Sequence, residues 1–90
     1  MSNAPDPPVQ QLDGLLRLLQ IMRQLRDPGS GCPWDLAQDS RSLARYALEE
    51  AYEVVNAIES GSHAALRDEL GDLLFQVVFH AQLASEQGHF

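Results

Sequence analysis

Residues 67–80 read Arg67-Asp68-Glu69-Leu70-Gly71-Asp72-Leu73-Leu74-Phe75-Gln76-Val77-Val78-Phe79-His80. On a helix each residue advances about 100°, so Glu69, Asp72, Gln76 and His80 share one stripe of about 80°. Leucine, valine and phenylalanine cover most of the remaining circumference. A helix this apolar is usually buried, and a buried carboxylate needs a partner: a cation, a second polar helix or water.

Outward from this stretch, the helix is expected over residues 63–87. Ser60-Gly61-Ser62 precedes it as a tight link, in which Gly61 suits the end of one helix and Ser62 can cap the next. A second helix is expected over 41–59, with Leu43, Ala47, Leu48, Ala51, Val54, Val55 and Ile58 on its apolar side. Asp27-Pro28-Gly29-Ser30-Gly31-Cys32-Pro33 breaks the chain before it. Ahead of that break, Leu12, Leu15, Leu18, Leu19, Met22 and Leu25 recur at helical spacing over 10–26. Residues 1–9, rich in proline, read as a flexible leader to a helical domain over 10–90. The short link makes the last two helices antiparallel neighbours. The fold class is therefore all-α: an antiparallel hairpin plus an N-terminal helix. Three helices, one of them apolar almost all round, hide their surface poorly, so the bundle is expected to be completed by oligomerisation, as a homodimer or tetramer.

The composition is that of one small globular domain: 90 residues, 44% of them hydrophobic. Thirteen acidic residues stand against six basic ones, all arginine, for a net charge of −7. This balance argues against binding to nucleic acid or to an anionic membrane and is compatible with divalent cations. Cys32 is the only cysteine, which excludes an intrachain disulfide and points to a reducing compartment. No apolar signal segment and no membrane-length run occur, so the expected location is the cytoplasm.

The middle helix carries Leu48-Glu49-Glu50-Ala51-Tyr52-Glu53. Glu50 and Glu53, three apart, lie roughly 5–6 Å from each other on one face, bordering the apolar side. Glu69 and Asp72 repeat the step on the next helix. Two carboxylate pairs facing each other offer several hard oxygens, a donor set that suits Mg²⁺ or Mn²⁺. Taken alone, Glu-x-x-Glu reads as a solvated helix face. Asp72 beside Gly71 changes that reading, because both are poor helix formers placed amid Leu and Phe. His80 lies roughly 12 Å beyond Asp72 along the axis and reads as a hydrogen-bonded core histidine. His63 and His89 read as exposed and Cys32 as structural. Trp34 is open between packing and stacking on a ligand ring. Arg41 and Arg45 are open between a salt bridge to Glu49 and contact with phosphate.

Glu49-Glu50-x-x-Glu53, fifteen residues, then Glu69-x-x-Asp72 resembles the signature of the MazG nucleoside triphosphate pyrophosphohydrolases. Cys32-Pro33-Trp34-Asp35, Ser42-Leu43, Tyr46 before LEEAYEV, and ELGDLLFQVVFHAQ through Glu86-Gln87-Gly88 are also similar to that family, over roughly residues 15–90. The resemblance implies all-α dimers or tetramers that use Mg²⁺ to hydrolyse nucleoside triphosphates to monophosphate and pyrophosphate, a nucleotide-pool housecleaning role. By position it implies Glu50, Glu53, Glu69 and Asp72 as metal ligands, with Glu49 a further acidic group. Glu49 or Glu53 would orient or deprotonate the attacking water, and Trp34, Gln38 and Arg45 would contact substrate. Leu36-Ala37-Gln38-Asp39-Ser40 departs from the family's usual basic residue and Gln-Thr-His, keeping only the glutamine. The chain ends at Gly88-His89-Phe90, where relatives usually continue into another helix, so it resembles one C-terminally short MazG domain.

Two other readings stand beside hydrolysis. One is a regulatory or dimerisation module, catalytically weak or inactive, that keeps the metal site. The other is a ferritin-like di-metal protein, which is disfavoured because the third residue after Glu50 is Glu53 and after Glu69 is Asp72, where that class places histidine.

Overall fold

The structure, a computed structural model, describes residues 9–90, with side chains from residue 13 onward. The leader expected over residues 1–9 lies outside the described residues except for Val9, where the first helix begins. Among the described residues there are four helices and no strand: α1 (Val9–Leu25), α2 (Pro33–Leu36), α3 (Ser40–Ser60) and α4 (His63–Glu86). None of them is long and apolar enough to cross a membrane.

Local chemistry sets the ends. Gly61 closes α3 in the left-handed conformation, φ 75°, which a side chain would oppose. Ser62 then caps α4, its Oγ accepting from the Ala65 N–H at 3.1 Å. At the start of α3 the Asp39 carboxylate accepts from the Ser42 N–H at 2.8 Å, while Ser42 Oγ accepts from the Asp39 N–H at 2.9 Å. This reciprocal pair starts α3 at Ser40, one residue earlier than its periodicity suggests. The one helix not foreseen is α2. Pro33 opens it with φ already fixed, and Gly31 allows the turn before it. A Cβ on Gly31 would lie 2.3 Å from the Leu25 carbonyl oxygen and 2.6 Å from that of Asp27, too close for any side chain.

α3 packs most extensively against α4, and α1 lies against α4 as well. Met22 of α1, Leu43 of α3 and Phe79 of α4 are fully buried where the three meet, with Val78 and Leu83 beside them. Phe75 sets its ring edge-on to Phe79 at 6.0 Å. Glu50 stands seven residues after Leu43 and Asp72 seven before Phe79. The carboxylates thus lie two turns, roughly 10 Å, from the core along both helices. Not all of the apolar surface is covered: Leu48, Tyr52 and Val55 on α3 and Leu70, Leu74 and Val77 on α4 are exposed in the single chain.

Candidate metal centre

Glu50, Glu69 and Asp72 converge. One carboxylate oxygen from each lies within 4.8 Å of the others, with Glu50 and Glu69 half-buried and Asp72 exposed. The exposure of Asp72 differs from the burial expected of so apolar a helix, because among the described residues nothing covers that side of α4. Glu53 stands outside the trio, although its charge still reaches Glu50. Three residues advance about 300°, so Glu53 is turned about 60° from Glu50 around α3, as Asp72 is from Glu69 around α4. The side from which α4 meets α3 admits both of its own acids but only Glu50 of α3.

The trio is electrostatically unfavourable by itself. Burial in the first place, then the Glu69 carboxyl alongside it and the charges of Asp72 and Glu53, raise the Glu50 pKa from 4.5 to about 7. Glu50 Oε2 is buried and has no hydrogen-bond partner among the described residues. A divalent cation fits this donor set: hard oxygens from three carboxylates, one of them an orphaned buried oxygen that a cation would satisfy.

A pH dependence follows. Because the folded chain holds the Glu50 proton more tightly than the unfolded chain, stability from this group is fully present below pH 4.5. It is lost as pH rises through about 7. Melts of metal-free protein in a chelator are expected to show Tm falling from pH 5 to pH 7.5, and Glu50→Gln to flatten that slope. The same slope in both proteins would assign it to other groups.

Tyr46 marks a second group of side chains beside the trio. Tyr46 precedes Glu50 by four residues, roughly 6 Å along α3. Trp34, half exposed, meets the Tyr46 ring at 6.1 Å in an edge-on arrangement. Arg45 donates to Tyr46 Oη at 3.0 Å, and its guanidinium sits 4.9 Å from that ring centre. The salt bridge to Glu49 open in the sequence is not formed by Arg41 or Arg45; among the described residues the ion pairs are Arg26–Glu86 and Arg67–Asp68. Gln38 is tied down at both ends, Nε2 donating to the Trp34 carbonyl at 3.0 Å and Oε1 accepting from Ser42 Oγ at 2.8 Å. Further along the α4 stripe, Gln76 Oε1 and His80 Nε2 are buried without a hydrogen-bond partner among the described residues. His80 thus lacks, at Nε2, the bond expected of a core histidine. Cys32 is free and half-buried, its N–H donating to the Leu25 carbonyl at 2.9 Å. His63 and His89 are exposed as expected. Tyr46 was the residue underrated in the sequence, where only its place before LEEAYEV marked it.

The domain is thus all-helical, with one acid trio shared between two helices. Residues 38–90 match the MazG nucleotide pyrophosphohydrolase domain, and the chain belongs to that family. It is 60% identical over 74 residues to the nucleoside triphosphate pyrophosphohydrolase of Escherichia coli K12, covering 82% of this chain and 28% of that protein. It is 49% identical over 73 residues to the nucleoside triphosphate pyrophosphohydrolase/pyrophosphatase MazG of Thermotoga maritima, covering 81% and 28%. With the nucleoside triphosphate pyrophosphohydrolase of Mycobacterium tuberculosis it shares 46% over 84 residues, covering 93% and 24%. The chain thus spans about a quarter of the length of these relatives.

Proposed function

We propose that this domain hydrolyses nucleoside triphosphates to the nucleoside monophosphate and pyrophosphate. The observation that carries the reading is the convergence of Glu50, Glu69 and Asp72, supported by the activity named for relatives up to 60% identical. Glu50, Glu69 and Asp72 would hold Mg²⁺ or Mn²⁺, with Glu53 at the margin. Such an ion supplies charge neutralisation for the triphosphate and for the leaving pyrophosphate. The water oxygen forms a bond to the α-phosphorus as the bond from that phosphorus to the bridging oxygen of the β-phosphate breaks. The water's proton passes to a glutamate. Glu49 and Glu53, the acids of α3 that flank Glu50 and stand outside the trio, are the candidates for this role. Trp34 and Arg45, which meet Tyr46, and Gln38, bonded to the Trp34 carbonyl, would take the nucleoside end of the substrate.

The working form is a homodimer or tetramer in the cytoplasm, in which α3 and α4 act as an antiparallel hairpin. Glu50 lies eleven residues before Gly61 and Asp72 eleven after, which supports that reversal. The exposed face of Leu48, Tyr52, Val55, Leu70, Leu74 and Val77 supports closure by a second copy. Incubation with a panel of ribo- and deoxyribonucleoside triphosphates and Mg²⁺ is expected to release equimolar monophosphate and pyrophosphate. No pyrophosphate from any triphosphate, with Mg²⁺ or Mn²⁺, would leave a non-catalytic interaction module instead.

A further inference from the structure

Arg26, just beyond α1, uses all three guanidinium nitrogens. Nε and Nη2 donate to the two oxygens of Glu86, at 3.0 and 2.6 Å, in a fork. Nη1 donates to the Asp35 carbonyl at 2.7 Å, with a longer contact of 3.4 Å to the Gln38 carbonyl. Gln82 fixes Glu86 from the next turn of α4, its Nε2 donating at 3.0 Å. The Arg26 side chain is only 12% exposed, so this pair is far better shielded than the outlying Arg67–Asp68 pair. The carbonyls that Arg26 holds belong to the segment bearing Trp34 and Gln38. That segment contains α2, four residues long and too short to hold its shape unaided. Asp35, between the two side chains of interest, is itself buried.

We propose that Arg26 is a positioning residue. Locked to α4 by Glu86, it fixes the Trp34–Gln38 segment against Tyr46, one turn from the acid trio, and so presents Trp34 to the nucleoside end of a triphosphate. The part concerning substrate rests on the function proposed above. Lysine cannot replace it, since an ammonium group lacks the planar fork that serves a carboxylate and a carbonyl together.

Trp34 is the sole tryptophan, so its emission reports this segment directly. In Arg26→Lys, with helical circular dichroism retained, Trp34 emission is expected to shift to longer wavelength and acrylamide quenching to increase. KM for a triphosphate should rise about tenfold with kcat within about twofold. Glu86→Gln, which keeps an acceptor but loses the charge, should move both readouts the same way by less, and it carries the test should Arg26→Lys fail to fold. Unchanged Trp34 emission and quenching in the folded variants would overturn the proposal, as would a fall in kcat with KM intact. If the wild-type domain hydrolyses no triphosphate, the function proposed above fails by itself, and the Trp34 readouts still decide whether Arg26 holds the segment.

Discussion

Asp72→Asn is expected to blunt the effect of divalent metal on stability and to reduce the proposed triphosphate hydrolysis by on the order of 10³-fold. In the wild-type chain Glu50, Glu69 and Asp72 repel one another, and burial first, with these neighbouring charges after it, raises the pKa of Glu50. A cation that binds only the folded trio stabilises it by mass action. At a hundred times its dissociation constant the gain is about 2.7 kcal/mol. For a domain of this size that corresponds to a Tm rise of about 10 °C or more. Asparagine keeps the shape of the side chain but removes a charge from the trio, so the rise with Mg²⁺ or Mn²⁺ should be blunted. Without metal the sign reverses: relieving repulsion should leave the variant as stable as the wild type or more so. Thermal melts of both proteins with and without metal check all four states. Insensitivity to metal throughout would mean that the trio is a solvated acidic face.

The second large effect belongs to the core. Phe79 is fully buried, packed with Met22, Leu43 and Leu83 and set against the edge of Phe75. Phe79→Ala is expected to cost about 3–5 kcal/mol through lost burial and the cavity left behind. A domain of this size has a total stability of only about 5–15 kcal/mol. Tm should therefore fall by at least about 12 °C, and the variant should populate unfolded chain near 37 °C. Val77→Ala, two residues away but 58% exposed, is the contrast. In dilute single chains it should change stability by less than about 0.5 kcal/mol. A larger, concentration-dependent cost at Val77 would locate it in a contact between copies. A Phe79 variant that melts like the wild type would be incompatible with the packing described.

What could be read from residue order was whatever depends on near neighbours. The helix expected over 10–26 is α1 at Val9–Leu25, that over 41–59 is α3 at Ser40–Ser60, and that over 63–87 is α4 at His63–Glu86. Gly61 and Ser62 act as expected because capping is settled within four residues. The four-residue α2 was not legible, since a proline- and glycine-rich stretch reads as turn whether or not one helical turn forms in it. The acid pairs were visible from their three-residue steps, but spacing gave Glu53 the same standing as Glu50. Only the direction from which α4 approaches α3 separates them. Arg26 stood at the end of the first helix with nothing to mark it, because Glu86 lies 60 residues away and the groups it holds are backbone carbonyls.

The trio of acids also bears on the order in which the domain comes together. Glu50, Glu69 and Asp72 fall within 23 consecutive residues, joined through Gly61 and Ser62. Closing so short a loop loses little chain entropy, and contacts close in sequence form early. The Met22–Phe79 contact must wait for a partner 57 positions away. A helix pair that closed first would bring its negative charges together before the apolar cluster exists to hold them there. Divalent cations present at that moment would act on the rate of folding as well as on the finished structure, favouring closure of the pair when its own charges oppose it.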